Sequence, residues 1–163
     1  MSWTKFIIQG IIIWFLQLLL SDILAIDTIR PDFCVILILY WSIEYGRTIG
    51  IISGFLLGIL FDFSGTGLFF GLSPLIYTVT GYLSGGLKII YPRLNSFYFN
   101  LFWVLILIFH FFLYCIVVYQ DLWELNIKLF FGKWLGTYIY TLSFASILQF
   151  IYPLNLLADV KSR

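Results

Sequence analysis

Residues 50–71 read GIISGFLLGILFDFSGTGLFFG, and the rest of the chain is organised around this glycine-rich stretch. Gly50, Gly54 and Gly58 fall four residues apart, and Asp62 continues the same spacing. Residues four apart lie nearly on one face of a helix, so the pattern predicts a smooth groove that ends at a carboxylate. Small residues at this spacing let a second backbone approach closely within a membrane. The stretch therefore predicts a tight helical hairpin, whose glycine face packs within the chain or docks a partner helix.

The composition places the whole chain in or beside a lipid bilayer. Hydrophobic residues make up 62% of the 163 residues and charged residues only 10%, which no soluble core of this size requires. The length indicates one domain, and the chain lacks the dense Lys/Arg patch of a nucleic-acid-binding surface. The sequence predicts a single integral membrane domain over residues 1–163.

Six apolar segments predict an all-α, polytopic protein with six transmembrane helices. The second segment has an apolar run of only 11 residues, short of the roughly 20 that cross a bilayer, so we expect it to be embedded among other helices. Pro31 suits the first turn of this helix, and Asp32 complements its dipole. Pro74 falls inside the fourth segment and is expected to loosen one turn. The six predicted spans are 6–26, 30–44, 48–61, 68–87, 97–119 and 129–151.

The distribution of basic residues predicts that both termini are cytoplasmic. With six spans and the N-terminus inside, six basic residues lie inside and three outside, as the positive-inside rule requires. The inside residues are Lys5, Arg47, Lys88, Arg93, Lys161 and Arg163, and the outside residues are Arg30, Lys128 and Lys133. A five-span arrangement would move four of the inside residues outside, so six spans are preferred.

Two glutamines in the first span predict a polar helix face that is turned to protein and could make interhelical contacts. Gln9 and Gln17 lie eight residues apart and share a stripe with Lys5 and Ser21. This stripe should face protein, because an amide turned to lipid would lack a hydrogen-bond partner.

Three further residues within spans have a mainly structural interpretation. His110 lies near the middle of the fifth span, and we predict an interhelical hydrogen bond there. A proton relay would need an acidic residue at similar depth, and the predicted spans place none beside it. Cys34 and Cys115 are predicted to be small apolar filler, although a disulfide between them stays open.

No motif in the sequence indicates catalysis, a cofactor or a metal. The loops are short, and no Walker loop, HExxH, GxSxG or pair of carboxylates within one span occurs. Asp62 and the Arg30/Asp32 pair are all expected at the outer boundary, where they could form a structural salt bridge. We therefore predict that the protein is not an enzyme.

The stretch from Arg30 to Leu87 resembles the MreD family of bacterial rod shape-determining membrane proteins. Three segments carry the resemblance: Arg30-Pro31-Asp32-Phe33, Gly46-Arg47-Thr48-Ile49-Gly50, and Gly58-Ile59-Leu60-Phe61-Asp62 followed by Gly67 and Gly71. The first, fifth and sixth spans match the family only in length and hydropathy. Family members often carry proline before the basic turn, whereas this chain has Tyr45-Gly46.

The resemblance implies a place in the machinery that builds the lateral cell wall, in the bacterial cytoplasmic (inner) membrane. The implied partners are MreC, the actin-like MreB, and the RodA glycosyltransferase with its transpeptidase partner. We therefore predict a non-enzymatic scaffold that maintains rod shape by organising lateral peptidoglycan synthesis with MreC. The single span of an MreC-type partner could lie in the glycine groove or against the Gln9/Gln17 stripe.

The family also implies a fold similar to the substrate-binding subunits of energy-coupling-factor transporters. The alternative function is accordingly a small-molecule-binding subunit of such a transporter. The first helix of those subunits carries an Ala-xxx-Ala docking motif, whereas alanine occurs here only at positions 25, 145 and 158. This difference favours the scaffold.

Overall fold

The computed structural model describes residues 3–64 and 69–159, and these residues are mostly helical. In chain order the helices are α1 (Trp3–Ile23), α2 (Phe33–Tyr45), α3 (Arg47–Phe63), α4 (Leu72–Ile90), α5 (Ser96–Val118), α6 (Gln120–Leu125), α7 (Ile127–Ile151) and α8 (Leu154–Asp159), with a 3₁₀ turn at Tyr91–Arg93. A helix forms at each of the six predicted segments, and the short α6 and α8 replace a predicted loop and tail. Four residues used in the sequence predictions lie outside the described ranges: Gly67, Leu68, Lys161 and Arg163.

Three helices in the described ranges are long and apolar enough to cross a membrane, namely α1, α5 and α7. Helix α2 is apolar but has only 13 residues, about 20 Å at about 1.5 Å per residue. Helix α4 has 19 residues, but its Ser, Thr and Gly residues lower its hydropathy. Most of these polar and small residues are buried against other helices, whereas Leu75, Tyr82 and Ile89 form an exposed apolar face on the other side of α4.

Helix α2 forms the centre of the molecule, as its short apolar run predicts. Eight of its 13 residues are buried, and it contacts α1, α3, α4, α7 and α8. Its first turn is capped by the Asp32 side chain, so the helix begins at Phe33. The predicted span begins at residue 30 and so places Pro31 and Asp32 inside the helix. This start is wrong by three residues, because Asp32 is the residue that caps the helix.

The glycine face of α3 packs against α4 of the same chain. A Cβ added to Gly54 would lie 2.5 Å from the backbone oxygen of Tyr77 on α4. A Cβ on Gly50 or Gly58 would likewise meet the backbone of Gly81 or Pro74. Only hydrogen at these positions permits such an approach. The glycine groove is therefore filled by α4, and the hypothesis that it receives a partner helix is wrong.

The turn between α3 and α4 is organised by Asp62. Its Oδ2 accepts a hydrogen bond of 2.6 Å from the Gly71 N–H, just before α4, where φ of Gly71 is +95°. The predicted salt bridge with Arg30 and Asp32 is replaced by this contact. Because α4 begins at Leu72, Pro74 lies in the first turn, where a missing N–H leaves no helical bond broken. The prediction that Pro74 loosens an internal turn is therefore wrong.

Candidate functional site

The segment Arg30-Pro31-Asp32 is held inside the protein by side chains from α1 and α7. Gln17 Nε2 donates to the Pro31 carbonyl at 3.0 Å, and Gln17 Oε1 accepts from the Phe33 N–H at 2.6 Å. The Asp32 N–H donates to the Thr141 hydroxyl on α7 at 3.1 Å. Side chains thus satisfy the backbone groups that precede α2, which have no partner within that helix. Two long helices fix the position of the Asp32 carboxylate.

The Asp32 carboxylate joins the start of α2 to α4. Its Oδ1 accepts the Val35 N–H at 3.0 Å, which caps α2, and its Oδ2 accepts the Tyr77 hydroxyl at 2.6 Å. The Asp32 side chain is 14% exposed and Tyr77 is 3% exposed. This short hydrogen bond between two largely buried side chains joins the start of α2 to α4.

His110 on α5 lies beside Asp32 and Tyr77. Its Nδ1 is 2.7 Å from the Thr80 hydroxyl on α4, which is the interhelical hydrogen bond that the sequence predicts. Its Nε2 is 3.8 Å from Asp32 Oδ2, and its ring stacks on Tyr77 with centroids 5.5 Å apart. The prediction that no acidic residue lies at its depth is wrong, because Asp32 is drawn inside the helix bundle rather than held at its boundary. We call Asp32, Tyr77, Thr80 and His110 the buried polar cluster.

A small cavity of about 80 Å³ opens beside the buried polar cluster. Helices α1, α3, α4, α5 and α7 and the segment before α2 contribute to its wall. Its polar lining includes Ser21, Arg30, Ser73 and Tyr114 in addition to members of the cluster. Ser21 and Ser73 are buried, and apolar residues such as Phe61, Ile76 and Phe111 complete the wall, so the cavity combines a few polar groups with a mainly apolar lining.

The polar stripe predicted on α1 is divided between two surfaces. Gln17 and Ser21 are buried, whereas Gln9 is exposed and makes no hydrogen bond within the described residues. Eight residues advance a helix by two turns and about 80°, while four residues advance it by about 40° beyond one turn. Gln9 therefore lies off the face that Gln17 and Ser21 share, and the prediction that it faces protein stays a prediction.

Gln9 lies on the wall of an apolar groove, which we call the α1–α7 groove. The groove has a volume of about 680 Å³ and runs between α1, α2 and α7, with α8 at one end. Ile12, Phe33 and Ile147 line it, together with Gln9 and Glu44. The apolar walls of the groove can bind an apolar helix, and the Gln9 amide can form a hydrogen bond with a polar side chain on that helix.

The remaining predicted sites have structural surroundings. Cys34 and Cys115 are buried and unpaired, as apolar filler would be, and they form no disulfide. Asp62 Oδ1 is buried without a hydrogen-bond partner among the described residues. No three His, Cys, Asp or Glu side chains within the ranges 3–64 and 69–159 come together as a metal site.

Sequence reasoning missed the hydroxyl residues of α4 that belong to the buried polar cluster and those of α7 that lie beside it. Tyr77 and Thr80 lie three apart on α4, and Thr137 and Thr141 lie four apart on α7. Polar residues at helical spacing in apolar segments indicate a face turned to protein, so the signal was present in both helices. It does not reveal which helix each face meets.

The comparisons with known proteins agree with the resemblance. A family model described as rod shape-determining protein MreD matches residues 1–157 of the chain. No curated protein and no solved structure matches it.

Proposed function

The chain belongs to the MreD family of rod shape-determining membrane proteins, and on this premise we propose that it is a non-enzymatic scaffold that places MreC and the wall synthases during lateral growth. MreB, RodA and the transpeptidase partner of RodA are the other proposed members of the assembly. Nothing in the comparisons supports the alternative of a transporter subunit. The family is one of shape determination rather than of known enzymes.

The α1–α7 groove is the observation that carries this proposal. The Gln9 amide is exposed about 9 Å along α1 from the start of that helix. Within a bilayer an exposed amide finds few hydrogen-bond partners, so a neighbouring helix that offers a polar side chain would stabilise it. The glycine face is already filled by α4. The groove is therefore our proposed site for the single span of an MreC-type partner.

Photo-crosslinking tests the groove in growing cells. A benzoylphenylalanine at Ile12 or Ile147, which both line the groove, should form an adduct with the single-span partner. Leu105 on α5 is also exposed but lies outside the groove lining, so the same probe there is the matched control. Equal adducts at all three positions would contradict the assignment, and lipid adducts alone at the groove positions would show that lipid fills it.

The proposed topology has six crossings of the inner membrane with both termini in the cytoplasm. Phe6 stacks on Trp41 with ring centroids 3.7 Å apart, and Lys88 donates to the Glu44 carbonyl at 2.6 Å. These contacts bring the start of α1, the α2–α3 turn and the end of α4 to one end of the bundle. The basic residues Lys5, Arg47 and Lys88 thus cluster at one end, which supports a cytoplasmic position for it.

At the opposite end of the bundle, Lys133 joins α7 to the connection between α1 and α2. Its ammonium contacts both Asp27 and Thr28, which lie between α1 and α2. The hydrogen bond from Lys133 lowers the pKa of the exposed Asp27 carboxyl. Arg30 lies in the same connection, so the predicted outer residues Arg30 and Lys133 occur at this end.

Single cysteines test the topology. In a background lacking both native cysteines, one serine at a time is replaced by cysteine, and spheroplasts are treated with an impermeant thiol reagent. The four positions are Ser2, Ser64, Ser96 and Ser162. We expect the cysteine at position 64 to react and those at 96 and 162 to react only after the membrane is opened. Ser2 and Ser162 lie outside the described residues, and the charge count alone carries the expectation for them. Labelling at position 162 without labelling at 64 would contradict the arrangement.

A further inference from the structure

The Thr80 hydroxyl has two partners within hydrogen-bonding distance and only one hydrogen to donate. Its Oγ1 is 2.7 Å from His110 Nδ1 and 2.8 Å from the Ile76 carbonyl oxygen of its own helix. When the hydrogen points to Nδ1, that nitrogen is bare, because it accepts. When the hydrogen points to the Ile76 carbonyl, Oγ1 can accept a hydrogen that Nδ1 carries. Thr80 can therefore form a hydrogen bond with either form of Nδ1.

The second ring nitrogen of His110 faces the Asp32 carboxylate. Asp32 accepts at both oxygens, from the Val35 N–H and from the Tyr77 hydroxyl, as a carboxylate without its hydrogen does. His110 Nε2 is 3.8 Å from Asp32 Oδ2. A hydrogen on Nε2 is attracted by this negative charge, whereas a bare Nε2 would turn its lone pair towards it. These contacts favour a neutral His110 with its hydrogen on Nε2, which accepts the Thr80 hydrogen at Nδ1.

This arrangement can take up one more proton and keep the hydrogen bond between His110 and Thr80. The added proton binds at Nδ1, and the Thr80 hydrogen turns to the Ile76 carbonyl, which is already within reach. Nδ1 then donates to Thr80 Oγ1, so the bond persists with its direction reversed. Burial opposes the positive charge of the imidazolium, and the Asp32 charge 3.8 Å away compensates for it. The structure thus provides both an acceptor for the added hydrogen and a counter-charge.

The titratable and charged side chains that share the cavity wall with His110 are few. Arg30 has the same sign of charge as an imidazolium and opposes it, and Arg30 is itself engaged in another interaction. Tyr77 stacks on the ring, Tyr114 lies one turn along α5, and tyrosine hydroxyls ordinarily titrate near pH 10. The described residues that α1, α3 and α7 contribute to this wall have no titratable group. Histidine is the side chain that ordinarily changes charge near neutral pH, so His110 is the group expected to exchange a proton there.

Water can deliver a proton through the small cavity. A volume of about 80 Å³ has room for several water molecules. The hydroxyls of Ser21, Ser73 and Tyr114 line it and make no hydrogen bond within the described residues, and water can both donate to them and accept from them. The Asp32 side chain is 14% exposed and that of His110 only 1%. The cavity therefore connects a buried histidine with a carboxylate that reaches the surface.

We propose that His110, Thr80 and Asp32 form a proton-binding site that makes the packing of α5 depend on pH. A hydronium ion in the cavity gives its proton to Nδ1 and leaves as water, one N–H bond forms, and the Thr80 hydrogen stays on its own oxygen. In the protonated form His110 forms an ion pair with Asp32, which adds an attraction between α5 and the start of α2. Acidification thus tightens the attachment of α5. The site is independent of the scaffold role and of the α1–α7 groove.

A sample labelled only in histidine tests the site directly, because His110 is the one histidine of the chain. The full-length protein is purified through a tag without histidine, and the ring nitrogen NMR shifts are measured in detergent from about pH 9 to about pH 5. At high pH we expect a hydrogen on Nε2 and a bare Nδ1, and at low pH a hydrogen on both. A ring that keeps one form across this range, or that is bare at Nε2 when neutral, would overturn the proposal.

Two substitutions at Thr80 separate the hydroxyl from the bulk of the side chain. Thr80→Ser keeps a hydroxyl that can bond either form of Nδ1, so the proton affinity of His110 should equal that of the parent. Thr80→Val leaves the added hydrogen without this acceptor, and a hydrogen bond from a charged group is stronger than one from a neutral group. We therefore expect the proton affinity to fall about threefold to tenfold in Thr80→Val. Equal affinities in the two variants would contradict the site.

Asp32→Asn removes the counter-charge and keeps the size of the side chain. The proton affinity of His110 should fall about tenfold or more, which moves its titration by about one pH unit or more. Asp121→Asn removes an exposed carboxylate from α6 and is the matched control, with the titration of the parent. An unchanged titration in Asp32→Asn would argue against an ion pair and sink the proposal. The Thr80 variants leave the cap of α2 intact, so they decide the question if Asp32→Asn fails to accumulate.

Discussion

Gly54→Leu is expected to abolish accumulation of the folded protein. A Cβ at Gly54 would lie 2.5 Å from the Tyr77 backbone oxygen and 2.7 Å from its carbonyl carbon, and backbone atoms cannot rotate away as a side chain can. Helices α3 and α4 would have to separate, and they make the most extensive contact between two helices in the described chain. Overpacking alone typically costs about 1–3 kcal/mol, and lost contacts along the whole face add to it. The measurement is the amount of full-length protein in membranes and its unfolding temperature in detergent.

The matched control is the same substitution at a glycine with free space. Gly132 on α7 has no atom within 4 Å of an added Cβ, so Gly132→Leu should accumulate at the level of the parent. Gly54→Ala adds only one carbon, so it tests the close approach of the helices without the bulk of leucine. That carbon would already meet the Tyr77 backbone, so the unfolding temperature of this variant should lie below that of the parent. Normal levels of both Gly54 variants would show that the α3–α4 contact is not needed for folding.

The glycine spacing illustrates how far the sequence could predict this fold. Four-residue spacing at Gly50, Gly54 and Gly58 predicts a face of close approach, and α3 has that face. The same spacing at Gly81 and Gly85 on α4 was also visible. The small residues on one helix face indicate how closely a neighbouring helix can approach, but they do not identify that helix. The predicted hairpin already made α4 a candidate neighbour of α3, whereas the choice between packing within the chain and docking a partner helix depends on tertiary packing.

The buried polar cluster shows a second feature that the sequence did not predict, namely the depth of Asp32 within the helix bundle. Asp32 is followed by the apolar run of α2, and the sequence indicated a helix that starts at the membrane boundary. The depth of that start depends on Gln17 and Thr141, which hold the preceding backbone inside the bundle. His110 and Asp32 therefore meet through contacts between four helices. Local periodicity describes each helix separately, so it could place the histidine but not the carboxylate beside it.

Asp32→Ala is expected to have the second large effect, on both stability and cell shape. The substitution removes the cap of α2 and leaves the buried Tyr77 hydroxyl without an acceptor. A lost cap costs about 1 kcal/mol and an unpaired buried hydroxyl about 1–3 kcal/mol, so we expect a loss of about 2–4 kcal/mol in the free energy of unfolding. In cells depleted of the native copy, rods should become spheres while division continues, and this variant should fail to restore them.

The order of three variants distinguishes a role for Asp32 from a general intolerance of change. Asp32→Asn keeps one oxygen that can accept either the Val35 N–H or the Tyr77 hydroxyl, so its unfolding temperature should lie between those of the parent and Asp32→Ala. Asp121→Ala removes an exposed carboxylate from α6 and should behave as the parent does. Membrane abundance, unfolding temperature and the length-to-width ratio of the cells should fall together from the parent through Asp32→Asn to Asp32→Ala, because one contact between α2 and α4 underlies all three. If Asp32→Ala accumulates normally and restores rods, the carboxylate is dispensable for both the fold and the shape-determining role.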